Sequence, residues 1–273
     1  IGGDFQGGDN NVFVGNSSGF SNLSGQDNVF VGYETGYNNT TGDYNVFMGH
    51  MTGKMNTSGK NNVYIGYNTG QVDSTGQNNV YIGYYAGNNA IEGTKKNQWN
   101  VAVGSHAGES LNGTIGSTFV GYDAGRYTTT GSSNTFFGTA SGKENITGRS
   151  NTFIGSAAGR DGTTTTFNTF IGESAGMKIN GNYNTFIGSR SGIMMTGGYG
   201  NSYFGKNSGE NRTGGYYNVM IGLNSGKQSG SGWYNIFIGA DAGYNSTGQG
   251  NVFLGYKAGY NETNSNRLYI EKT

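Results

Sequence analysis

A stretch of 17 residues, NVFVGYETGYNNTTGDY from Asn28 to Tyr44, is followed in the same frame by NVFMGHMTGKMNTSGKN. Counting from the leading Asn, repeats start at Asn11, Asn28, Asn45, Asn62, Asn79, Asn100, Ser117, Asn134, Asn151, Asn168, Asn184, Asn201, Asn218, Asn235 and Asn251. Eleven of the 14 spacings are 17 residues, two are 16 and one is 21. A fixed period over nearly a whole chain admits few folds, because each unit must stack on its neighbours to bury anything. The repeat therefore predicts an all-β parallel β-solenoid, or β-roll, with one coil of about 17 residues per repeat. Residues 1–10 read as a truncated repeat, 11–261 as fifteen coils with an irregular one at 79–99, and 262–273 as an exit segment.

Each position within the repeat carries a physical instruction. Positions 2 to 4 read Val-Phe-Val, Val-Tyr-Ile or Thr-Phe-Ile, the β-branched and aromatic residues that suit a pleated surface. Gly holds positions 5 and 9 in all 15 repeats, including Gly15, Gly19, Gly32, Gly36, Gly104, Gly108, Gly155, Gly159, Gly239 and Gly243. Such regularity predicts turns with positive φ, or an approach too close for a Cβ. Position 8 is always Ala, Ser or Thr, which fits a cramped corner. A further Gly, as in Gly25, Gly42, Gly59 and Gly76, reads as a return turn after a looser second strand at positions 10–14. The Asn at position 1, as in Asn28, Asn45, Asn62, Asn151 and Asn168, is expected to form an amide ladder from coil to coil.

Composition excludes the other Gly-rich classes. The chain has 54 Gly but no Pro, which rules out collagen. Its 20 Tyr and 15 Phe are too many for a disordered linker. Alternation along the strand puts positions 2 and 4 on one face and position 3 on the other. Both faces are apolar: position 3 is Phe or Tyr in 13 of 15 repeats, and position 4 is aliphatic, Met or Phe throughout. The expected core or interface residues include Phe30, Phe47, Phe136, Phe153, Ile154, Phe170 and Phe237. A single coil buries one face, so the other would form an apolar stripe larger than soluble monomers carry. Self-association into a parallel homotrimer or filament covers it. A monomer whose stripe is covered by the 10–14 segment is the alternative.

The unit NVFVGNSSG resembles the head repeats of trimeric autotransporter adhesins, with Asn or Ser, alternating apolar residues, Gly and a small residue at fixed places. That resemblance implies a parallel β-roll in a trimer. The period here is longer and the middle residue is Phe or Tyr rather than Ala. The segment GYKAGYNETNSNRLYIEKT is similar to the ends of Phe-Gly-rich repeat arrays in bacterial surface and phage tail-fibre-like proteins. Those arrays precede an intramolecular chaperone domain of the endosialidase type, and the resemblance implies the shaft or head of an extracellular or phage-related fibre.

The residues offer little to catalysis. Formal net charge is zero, and the 16 Lys and Arg are scattered, so neither nucleic acid nor membrane insertion is expected. Without Cys there is no thiolate nucleophile or Zn-thiolate site. His50 and His106 lie three repeats apart, and the carboxylates are spread thinly. No catalytic, cofactor-binding or metal site is expected. The one break in rhythm, NNAIEGTKKNQW, predicts an outward loop, where Lys95, Lys96 and Trp99 could contact a ligand. Tyr33, Tyr67, Tyr84, Tyr122 and Tyr256 at position 6 could stack on glycans.

The sequence thus points to a non-enzymatic structural or adhesive fibre segment at a bacterial surface or on a phage-like particle, itself its main partner. Glycans or a host receptor would be engaged through parts outside this chain, and the abrupt start at IGGDF reads as a fragment or processed piece. One rival is a carbohydrate-binding or depolymerising tail spike. The other is an ice-binding solenoid, suggested by Thr118, Thr135, Thr152, Thr169 and Thr185 at position 2.

Overall fold

A computed structural model describes residues 8–90 and 96–271. The truncated repeat before residue 8, and most of the four-residue insertion, lie outside the described residues. The chain is an all-β parallel β-solenoid of about 15 turns. It divides into two compact units, residues 1–134 and 135–273.

The first unit contains β1 (Val12–Val14), β2 (Val29–Tyr33), β3 (Val46–His50), β4 (Val63–Tyr67), β5 (Val80–Ile82), β6 (Val101–Val103) and β7 (Thr118–Val120). The second contains β8 (Thr135–Phe137), β9 (Thr152–Ile154), β10 (Thr169–Ile171), β11 (Thr185–Ile187), β12 (Ser202–Phe204), β13 (Val219–Ile221), β14 (Ile236–Ile238), β15 (Val252–Leu254) and β16 (Leu268–Ile270). Within each unit consecutive strands pair in parallel, position for position. Phe30 lies against Phe47, and Phe170 against Phe186 although those coils are 16 residues apart. The segment after residue 261 contributes β16, which pairs with β15.

Position 3 points inward. Phe30, Phe47, Tyr64 and Tyr81 in the first unit are wholly buried, as are Phe136, Phe153, Phe170 and Phe237 in the second. Parallel register stacks their rings. From Phe13 to Tyr81, successive centroids are 4.8–4.9 Å apart and within 9° of parallel. From Phe136 to Tyr203 they are 4.7–5.0 Å apart. Each aromatic pair adds roughly 0.5–1.5 kcal/mol beyond the burial of its area. Where Ala102 interrupts the column, Leu111 from position 12 of the same coil fills the space; both are fully buried and meet over Gly108.

The Gly pattern has two distinct causes. Position 5 glycines adopt φ of 120–138° and position 9 glycines 53–61°, both in the left-handed half of the map. Space is refused as well: a Cβ on Gly104 would lie 2.5 Å from the Gly121 carbonyl oxygen, and one on Gly36 2.5 Å from the Phe30 ring.

Two expectations need correction. Among the described residues, positions 10–14 form no second strand but turns. Their backbone still bonds from coil to coil, as in Ser21 N–H to Tyr37 O at 2.9 Å and Asn38 N–H to Lys54 O at 3.0 Å. Nor do Gly25, Gly42, Gly59 and Gly76 turn with positive φ. They are small because a Cβ would strike the buried residue at position 12 and, at Gly25, Gly42 and Gly59, the carbonyl of the next coil as well. Left-handed backbone outside Gly lies instead at the last residue of the coil, as in Asp27, Tyr44 and Phe167, and at position 7, which carries no Gly in any of the 15 coils. Glu34 (φ 50°), Tyr85 (57°) and Arg190 (61°) are examples.

The Asn ladder forms. Asn45 donates its backbone N–H and its amide to Asn28 Oδ1, at 2.9 and 3.1 Å, and the same amide reaches Gly59 O across the coil at 2.8 Å. Asn62 repeats this against Asn45, and Asn168 against Asn151. All five side chains are buried, so each rung satisfies groups that would otherwise be left without water.

Candidate functional site

With position 3 inside, positions 2 and 4 face outward and are half-exposed. In the second unit Phe137 is 55% exposed and Ile154 37%. Phe153 is therefore core, while its neighbour Ile154 belongs to an outer sheet face. The Thr residues at position 2 share that face with the aliphatic and aromatic residues of position 4.

Each unit also carries aromatic residues at a coil corner. In the first unit they stand at position 6, just past the strand. Tyr33, His50, Tyr67 and Tyr84 follow one another with centroids 5.1, 4.8 and 5.5 Å apart. Glu34 anchors one end: Lys54 Nζ lies 2.7 Å from its carboxylate and holds its pKa below the usual range. Glu34 in turn pushes the Tyr33 hydroxyl up, through a hydrogen bond and its charge. Tyr122 meets His106 edge-on at 6.4 Å, and Lys257 lies over the Tyr256 ring at 5.0 Å.

In the second unit the corner just before the strand is aromatic. Tyr216, Tyr217, Trp233 and Tyr234 line an open cleft of about 380 Å³. Tyr217 and Tyr234 stack at 5.6 Å and 6°, and Tyr216 approaches Trp233 at 6.3 Å and 35°. Each of the four is at least 43% exposed. Turn geometry sets their direction, since Tyr217 and Tyr234 have φ of 55° and 57°. Their backbone N–H groups are tied to Tyr199 O and Tyr216 O of the preceding coils, both at 3.0 Å. Sequence reasoning passed over these residues. The signal was present as YYN and WYN in consecutive repeats.

Lys95 lies outside the described residues. Lys96 and Trp99 are both exposed, and Trp99 makes no ring or cation contact among the described residues. His106 Nδ1 sits 2.9 Å from Glu109, which also binds Arg126 at 2.7 Å. Among the described residues no three potential metal ligands gather at one point.

Fold and surface together define a β-solenoid repeat protein with apolar and aromatic outer rows. The chain matches no family model and no curated protein sequence.

Proposed function

We propose that this chain is a segment of a structural, adhesive fibre, built from parallel copies of itself as a homotrimer and working outside the cell or on a phage-like particle. On this reading it is not an enzyme, and its task is to hold a stiff, hydrogen-bonded column. The observation that carries the reading is the outer sheet face. Val29 and Val31, Val63 and Ile65, Ile154, Ile171 and Ile187 stand half in water, coil after coil within each unit. Covering such a row contributes about 25 cal/mol per Å² of apolar area. A partner that matches it must share its repeat of about 4.8 Å. Another copy of the chain, parallel and in register, has that repeat by construction, and a three-fold axis gives every copy the same environment.

Light scattering on the purified chain tests the assembly, with three times the chain mass expected. Phe153→Asp should abolish folding, whereas Ile154→Asp should fold and fall to a lower mass. A folded, wild-type monomer at high concentration would remove the reason for the proposal.

A further inference from the structure

We infer that the cleft of Tyr216, Tyr217, Trp233 and Tyr234 binds a neutral oligosaccharide. The cleft offers flat aromatic faces edged by three phenol hydroxyls and one indole N–H. A pyranose ring has the matching chemistry, with C–H groups on its faces and hydroxyls round its rim. The rings are held in place before any ligand arrives, by left-handed backbone and by hydrogen bonds to the preceding coils. Little ordering entropy then remains to be lost on binding.

One feature favours a ligand over a structural role. Single aromatics stand just before the strand in the three preceding coils, as Phe167, Tyr183 and Tyr199, but only these two coils carry two aromatics each, and the following coil has Gln249 and Gly250. The doubled width that makes the cleft is confined to two coils, whereas an in-register contact between copies would recur along the column.

Charge selects the class of ligand. Of the cations in these two coils, Arg212 is buried, Lys227 is paired with Glu210 at 3.1 Å, and Lys206 stands at position 6, past the strand. Stacking of single-stranded nucleic acid needs a positive groove beside the rings, and this cleft has none. Uronates and sialylated sugars lack a counter-charge for the same reason. The site is complete within one chain, so it does not depend on the proposed assembly.

The test uses the 273-residue chain. It contains two Trp, so Trp99→Phe leaves Trp233 as the sole reporter. Cellohexaose, chitohexaose and mannohexaose are titrated against its emission, with an oligogalacturonate and an oligothymidylate as anionic probes. At least one neutral sugar should give a saturable change. By calorimetry, Trp233→Ala and Tyr217→Ala should each weaken that sugar at least about tenfold, with the melting temperature unchanged. The inference is overturned if no neutral sugar binds, if only an anionic probe binds, or if both variants bind as before. It is overturned too if Trp233→Ala lowers the assembled mass, since the occupant would then be another copy. A monomer that binds sugar would keep this inference and remove the fibre assembly.

Discussion

Asp73 in the first unit and Arg212 in the second hold the same place, position 12 of their coils, and both point into the core. They are 0% and 1% exposed. Each shares its coil with a Tyr at position 3, Tyr64 and Tyr203, where most coils have Phe. The two charges are nevertheless met differently. Asp73 takes its short hydrogen bond from within its own coil, the Tyr64 hydroxyl donating at 2.6 Å, with the Asn79 amide of the next coil farther off at 3.5 Å. Arg212 reaches into the next coil, donating to Ser229 Oγ at 2.6 Å and Gly232 O at 2.5 Å, while its Nε finds no partner. Neither arrangement is an ion pair with a facing opposite charge at position 12. The column accommodates charge through hydrogen bonds, which is affordable only when the donors and acceptors are already placed.

The largest expected effect comes from reversing the sign where the acceptors are fixed. Arg212→Glu would set a carboxylate against a hydroxyl oxygen and a carbonyl, and should cost about 3–5 kcal/mol, as breaking buried charge networks does. Denaturant unfolding measures it, and an unchanged midpoint would end the distinction between the two sites.

Tyr64→Phe removes the donor to Asp73 and should cost about 1.5–3 kcal/mol. The neighbouring coil supplies the control, because it carries Phe47 with Asn56 at the same two positions, both buried. The double variant Tyr64→Phe, Asp73→Asn should therefore recover most of the loss. If it is no better than the single variant, the hydrogen bond is not what holds Asp73.

Alkaline pH sharpens the comparison. Burial pushes the Tyr64 hydroxyl well above its usual value of 10.0, and the Asp73 charge adds to the rise. Burial also raises Tyr203, but the Arg212 charge beside it pulls the other way. A raised folded pKa means that the unfolded chain loses its proton first. This stability is complete below pH 10 and falls as pH rises further, by about 1.4 kcal/mol per pH unit for each Tyr. Tyr64→Phe should flatten that fall more than Tyr203→Phe, as read from melting temperatures between pH 9 and 11.

The smallest effect is expected at neutral pH for Tyr203→Phe. Its hydroxyl is buried without a hydrogen-bond partner, so its removal should shift stability by less than about 1 kcal/mol. A loss as large as that of Tyr64→Phe would mean that the two coils handle charge alike.

Much of this architecture was legible in the sequence, because a period imposes one conformation on many different spellings. Asn28, Asn45 and Asn62 announced the ladder, and Gly104 and Gly108 the turns, through recurrence alone. Position 7 was not legible. Glu34, Tyr85 and Arg190 share a backbone conformation without sharing any chemistry, since the glycines at 5 and 9 on either side set the path. The missing second strand had a similar cause: closely spaced turns suffice to hydrogen-bond coil to coil without pleated backbone. The aromatic cleft was missed because the repeat was read down its columns. Tyr216, Tyr217, Trp233 and Tyr234 form a patch two coils high and two positions wide, which recurrence along the whole chain does not reveal.

The Asn rungs also bear on how such a chain changes its length over generations. Asn100 bonds to Asn79 Oδ1 across a 21-residue step at 3.0 Å, and Asn184 to Asn168 Oδ1 across a 16-residue step at 2.9 Å. Every rung begins the count afresh, whatever the outer loop has gained or lost. An insertion is confined to the coil that receives it, and a duplicated or deleted coil meets the same groove and the same amide on either side. Such a gene can lengthen or shorten its product in whole modules without inventing a new contact.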